Sequence, residues 1–162
     1  MIIDKEIIHK MKIQFEGSIE LTENQLDHIE SLIGKVIPAQ IRKLYKYHSN
    51  SVPKINGTRC SFKIHCNDGW IIANFIEKIP SFEELQNDLS DKEFLEDYVR
   101  HFGLTDEYVE VEHLFPFAIL PNGGIYIALE GKHKGKIYAA DNGDFGITFQ
   151  YNSFDLFWNS VY

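Results

Sequence analysis

The chain has 162 residues, 44% of them hydrophobic, which suffices for one packed core and leaves little for a second. Leu, Ile, Val and Phe number 51, too many for a disordered scaffold, and two cysteines cannot staple a secreted disulfide framework. The net charge of −8 argues against a nonspecific clamp on a phosphate backbone, which needs clustered Lys and Arg, and suits a basic partner instead.

Met11, Ile13 and Phe15 alternate with polar residues, the period of a half-buried strand ending at Gly17. Thr22-Glu23-Asn24-Gln25 has capping-box spacing, and Leu26, Ile29 and Ile33 continue a helix to Gly34. Pro38 suits the first turn of a second helix carrying Ile41, Leu44, Tyr45 and His48 and stopping near Asn50. Cys60, Phe62, Ile64 and Cys66 alternate with polar residues, and Asp68-Gly69 leads into a second β-rich run, Trp70 to Ile76, which predicts a hairpin with a tight turn.

Ser81-Phe82-Glu83-Glu84 and Ser90-Asp91-Lys92-Glu93 repeat the capping-box pattern, and Phe94, Leu95, Tyr98, Val99 and Phe102 mark a helical face ending at Gly103. Runs at Tyr108–Leu120, Ile125–Leu129, Lys136–Ala140 and Ile147–Tyr151 predict an antiparallel meander. Its turns fall at Asn122-Gly123-Gly124, Gly131 to Gly135 and Asn142-Gly143. Ser153 caps a last helix with Phe154, Phe157, Trp158 and Val161 on one stripe. Helices flanking a central run of strands give an α+β class, with an antiparallel sheet of at least four strands covered on one face by the helices near residues 23–33 and 38–49.

The chain reads as a single domain over residues 1–162, with 1–21 an N-terminal strand extension and 77–112 an acidic helical insertion. Asp4, Lys5, Glu6 and Lys10 interrupt any apolar core of a signal peptide. The charge-free stretch Leu114–Leu129 carries two prolines and a glycine pair and falls short of the roughly 20 apolar residues that cross a bilayer. No membrane segment and a cytoplasmic location are expected.

Chemical motifs are sparse. Cys60 and Cys66 share the apolar face of one strand while His65 points the other way, and no second pair of soft ligands follows, so buried thiols are expected rather than a metal site. Gly131-Lys132-His133-Lys134-Gly135-Lys136 is one residue short of a phosphate loop, has Ile137 where Ser or Thr must hold magnesium, and precedes a strand, so it reads as a basic hairpin tip. Asp141-Asn142-Gly143-Asp144-Phe145-Gly146 lacks oxygen ligands at two required positions of a calcium loop. Neither a nucleophile elbow nor a His-Glu-x-x-His arrangement is present, so no cofactor, metal or catalytic residue is assigned.

Charge is unevenly placed. Residues 77–112 hold twelve acidic and three basic side chains, a net of −9, while the rest of the chain nets +1. A solvated helical face is the plainest interpretation. The sharper one is a docking surface for a basic partner, with Glu83, Glu84, Asp88, Glu93, Glu96, Asp97, Asp106, Glu107, Glu110 and Glu112 as candidate contacts.

Several features in order resemble the SUKH superfamily, which includes bacterial immunity proteins and fungal cell-wall-synthesis regulators. These are the Pro-initiated helix at Ile37-Pro38 with Leu44-Tyr45, the strand Phe115-Pro116-Phe117-Ala118, the turn Pro121-Asn122-Gly123-Gly124 and the strand Ile125–Leu129. Lys136-Ile137-Tyr138 followed by Asp141, and the ending Ser153–Phe157, complete the pattern over roughly Thr22 to Tyr162. Ser49-Asn50-Ser51 stands where the family usually has Asn-Gly-Gly. The resemblance implies a protein without catalysis that binds and neutralises a toxin domain, often a nuclease; the acidic charge makes that partner basic and leaves no direct contact to nucleic acid expected. An intracellular regulatory or scaffolding role is the alternative, and a small hydrolase with a site not paired in sequence is a more remote one.

Overall fold

A computed structural model describes residues 13–65, 69, 71–90, 111–141 and 146–162. In chain order these form β1 (Ile13–Glu16), α1 (Glu23–Ile33), α2 (Ala39–His48), β2 (Val52–Ile55), β3 (Thr58–Arg59), β4 (Ser61–His65), β5 (Ile71–Phe75) and α3 (Phe82–Ser90). A 3₁₀ turn (Val111–His113) then leads into β6 (Leu114–Leu120), β7 (Gly123–Ala128), β8 (Ile137–Asp141), β9 (Gly146–Tyr151) and α4 (Phe154–Ser160). The fold is α+β. Its main sheet is a four-stranded antiparallel meander in the order β6-β7-β8-β9, accompanied by a three-stranded sheet β1-β2-β3 and the hairpin β4-β5.

The capping residues act as their spacing predicts. Thr22 Oγ1 accepts from Gln25 N–H (3.1 Å) and Gln25 Oε1 accepts from Thr22 N–H (2.9 Å), while Gly34 ends α1 in the left-handed region at φ 65°. Ser81 and Glu84 repeat the reciprocal box at 3.1 Å each way, and Ser153 Oγ accepts from Leu156 N–H at 3.2 Å. Pro38 lies one position earlier than expected. It is the N-cap of α2, and its carbonyl accepts the first helical bond, from Arg42 N–H.

One face of the main sheet, with Phe115, Phe117, Ile125, Ile127 and Ile137, joins a core completed by Leu26 and Ile29 of α1, Ile41 and Leu44 of α2, Phe62 and Ile64 of β4, and Phe157 and Trp158 of α4. The opposite face is buried as well, through Leu114, Tyr126, Ala128, Tyr138, Ala140 and Ile147. β6 serves the core along its whole length because it carries a bulge: Pro116 pairs with Tyr126 and Ala118 with Ile125. The extra residue, Phe117, resets the alternation, so Phe115 and Phe117 before the break and Ala118 and Leu120 after it all reach the same core. The bulge leaves the Pro116 carbonyl to accept from the buried Tyr45 hydroxyl (2.7 Å).

One turn differs from expectation. Gly123 and Gly124 belong to β7 rather than to the turn, where Gly124 sits so close to the Ala118 carbonyl that a Cβ would lie 3.2 Å from its oxygen. In β4-β5 the pairing is described as far as His65 and Ile71; of the expected Asp68-Gly69 turn, Asp68 lies outside the described residues and Gly69 has φ 89°.

Candidate partner-binding surface

α3 begins at the capping box, and its first turn carries Glu83 and Glu84 with opposite fates. Glu83 is exposed. Glu84 accepts from Ser81 N–H and pairs with Lys78 Nζ at 2.7 Å, so it is committed to holding the start of its own helix. Burial raises its pKa, but the hydrogen bonds from Lys78 and Ser81 outweigh that and hold the carboxyl below its ordinary range. Lys78 also donates to Asn50 Oδ1 (2.8 Å), so α3 is tied to the turn after α2. Asp88 is half-buried farther along α3, and its charge adds to burial in raising the Tyr45 pKa. Glu112 is exposed in the 3₁₀ turn before β6. The other six candidates, Glu93, Glu96, Asp97, Asp106, Glu107 and Glu110, lie outside the described residues.

α1 packs beside α3, with the rings of His28 and Phe82 6.2 Å apart, and brings further carboxylates to the neighbourhood. Glu23, Asp27 and Glu30 follow one another along α1, and all three bond to Arg42 of α2: Glu23 at 2.8 Å, Asp27 at 2.7 Å, and Glu30 through the other guanidinium nitrogen. Lys46 adds a second cation on Glu23 at 3.0 Å. Bonding to Arg42 and Lys46 lowers the Glu23 pKa, and the same contacts raise those of the two bases. Charge counting along the chain missed this hub. Carboxylates three to four residues apart on one helix, with an Arg on the next, were the available signal.

The turn after α2 joins these parts. Asn50 takes φ 61°, a left-handed conformation that favours glycine and that Asn tolerates better than most residues. Its N–H donates to the Pro80 carbonyl (3.1 Å), as does the buried Ser49 hydroxyl (2.9 Å), and Ile79 N–H donates to the Ser51 carbonyl (2.7 Å). α3 therefore starts from a segment bonded down on both sides.

Cys60 is buried and burial pushes its thiol up to about 11, the behaviour of a packing residue; Cys66 lies outside the described residues. The Gly131–Gly135 segment is the connection between β7 and β8, with φ 80° at Gly131 and 87° at Gly135. Among the described residues there is no group of three or more potential metal-ligating side chains and no helix long and apolar enough to cross a membrane.

A small α+β domain with an acidic helical shoulder is the class these observations define. The SMI1 / KNR4 family (SUKH-1) model matches residues 20–160, and the chain belongs to that family. No curated protein sequence matches the chain. Family membership is consistent with an immunity-type or regulatory role, and such domains are generally non-catalytic.

Proposed function

We propose that this chain is a non-catalytic immunity-type protein of the cytoplasm that binds and neutralises a basic toxin domain, such as a nuclease, through the acidic segment opened by α3. The observation that carries the reading is the position of α3. It is capped by Ser81 and Glu84, anchored through Lys78 to Asn50, and placed beside α1, so the exposed Glu83 stands at the head of a segment with net charge −9. An acidic surface competes for the basic cleft with which a nuclease grips its substrate, and long-range attraction speeds encounter. Family membership supports this reading equally with a regulatory scaffold.

The test is association with the toxin product of an adjacent gene, followed at low and moderate salt for wild type, for the triple reversal Glu83→Lys, Glu96→Lys, Asp97→Lys, and for the control Glu20→Lys. The triple reversal should slow association several-fold and flatten its salt dependence, while the control stays near wild type. Equal rates and salt slopes for all three proteins would move the interface elsewhere, and the absence of a neighbouring toxin gene would favour the regulatory role.

A further inference from the structure

The hairpin β4-β5 offers a second interaction surface of opposite character. Ser61 exchanges both of its outer backbone bonds with Tyr162 (2.7 and 2.9 Å), and His65 gives both of its own to the Gln150 side chain. The outer edge of β4 is thereby occupied at both of its ends. Peptide groups in an antiparallel pair point alternately toward and away from the partner strand, so the residues opposite Ser61, Lys63 and His65, namely Phe75, Ala73 and Ile71, also point theirs outward, away from β4. Phe75 N–H is taken by Asn74 Oδ1 (2.9 Å); the other five groups have no hydrogen-bond partner among the described residues.

The side chains on the same face match this open edge. Ile71 is 57% and Phe75 37% exposed, and Ala73 between them is exposed as well. Lys63 and His65 stand beside them on β4, and the Arg59 guanidinium lies 5.5 Å from the Phe75 ring centre. Neither Arg59 nor Lys63 makes an ion pair among the described residues. A groove of about 590 Å³, lined partly by Lys54, Thr58, Arg59 and Phe75, opens at the Phe75 end. In a chain of net charge −8, this face pairs cations with exposed apolar side chains on an unpaired strand edge.

We infer that the β5 edge accepts an extended acidic segment of a partner protein as an added strand. Residues of the added strand directly opposite Ile71, Ala73 and Phe75 share their face. Apolar side chains opposite Ile71 and Phe75 would cover them, and a carboxylate opposite the small Ala73 would reach across it to Lys63. The recognised pattern is apolar-x-acidic-x-apolar. A second copy of this chain fits less well, because pairing β5 with itself about a two-fold axis gathers Arg59 and Lys63 of both copies on one sheet.

The probe is a fluorescent acetyl-Thr-Val-Thr-Glu-Thr-Val-Thr-amide peptide, with binding read by anisotropy on the full chain. The Glu-centred peptide should bind and a Lys-centred one should bind about tenfold or more weakly. The variant Lys63→Glu, at an exposed site with unchanged circular dichroism, should reverse that preference. N-methylation of the Val and Glu amides, which face β5, should abolish binding, while N-methylation of the Thr amides should leave it intact. No binding up to about 1 mM peptide, equal affinity for the Glu- and Lys-centred peptides, or indifference to N-methylation would each overturn the inference. So would a concentration-dependent dimer of the full chain that Ala73→Pro disrupts, since the edge would then belong to a second copy.

Discussion

Gln150 joins two sheets with one side chain, and removing it tests how the molecule is held together. It is the extra residue of a bulge in β9, where Tyr151 pairs with Ile137 and Phe149 with Tyr138. Its amide acts as a peptide group: Oε1 accepts from His65 N–H (2.8 Å), and Nε2 donates to the His65 carbonyl (3.1 Å) and to Thr148 Oγ1 (2.6 Å). At 7% exposure little water can replace it. Gln150→Leu is close in volume and loses these bonds. Each is worth about 1 kcal/mol net, and up to about 3 where the orphaned group stays buried, so a loss of about 2–4 kcal/mol is expected, partly offset by the apolar gain. For a chain of this size that lowers Tm by about 10 °C. Urea denaturation followed by tryptophan fluorescence measures the first quantity, and hydrogen exchange at residues 61–65 shows whether the hairpin loosens ahead of the main sheet. Gln150→Glu adds a sign test. A carboxylate can accept from His65 N–H but only repels the His65 carbonyl, so its folded pKa rises above the unfolded value. The variant therefore recovers stability as pH falls and its donor returns. A loss below about 0.5 kcal/mol, with unchanged exchange at 61–65, would refute the idea that this amide joins the sheets.

His48 stacks on Phe15 (4.0 Å between centroids), and burial lowers its pKa below the ordinary 6.5, against a smaller opposing pull from Glu20. The unfolded chain then binds the proton more readily, so stability is complete above pH 6.5 and falls as pH drops toward the folded pKa. Urea midpoints should decline between about pH 7 and 5 more steeply in wild type than in His48→Phe. Cys60, with its thiol pushed up to about 11, should react with a thiol reagent only as fast as the chain opens, so its labelling rate should rise in step with urea unfolding; rapid labelling of the native state would show the thiol to be accessible. Gly124→Ala places a Cβ 3.1 Å from the Tyr126 ring and 3.2 Å from the Ala118 carbonyl oxygen, and should cost about 1–3 kcal/mol in denaturant unfolding, because backbone cannot yield as a side chain can.

Periodic segments with a cap at one end were legible from residues alone. α1, α2 and α4 stand where their apolar intervals place them, since a capping box and an amphipathic stripe point to the same local conformation. β2 and β3 were not legible, and Pro53 is the reason. It sits in the central strand of its sheet, paired with Phe15, where a missing N–H ordinarily argues against a strand. Here the loss is used: Cys60 N–H donates to the Pro53 carbonyl (3.0 Å), Pro53 returns nothing, and the Cys60 carbonyl accepts from Ile76 N–H instead (2.8 Å). The chain leaves one sheet for the next at that point. The turn before it, Asn56-Gly57, has φ 50° and 78°, the mirror-image geometry that closes a two-residue hairpin. A bond that exists because another is absent leaves no trace in local periodicity.

Ten carboxylates looked equivalent by charge count, and the fold distinguishes those among the described residues by what each already bonds. Glu84 caps α3 and holds Lys78, so its charge is spent inside the molecule, whereas Glu83, its neighbour in sequence, faces solvent. On α1 the same sorting occurs through Arg42 and Lys46, which absorb Glu23, Asp27 and Glu30, carboxylates that lie outside the acidic segment altogether. The physical asymmetry follows from desolvation: an exposed carboxylate can exchange water for a partner's cation, while one already paired must first give up a bond of similar strength. Cations are sorted likewise, since Lys78, Arg42 and Lys46 are engaged with carboxylates while Arg59 and Lys63 remain unpaired among the described residues beside an open strand edge. Net charge thus places the acidity of this chain in one segment, and only tertiary bonding decides which of its charges can meet a partner.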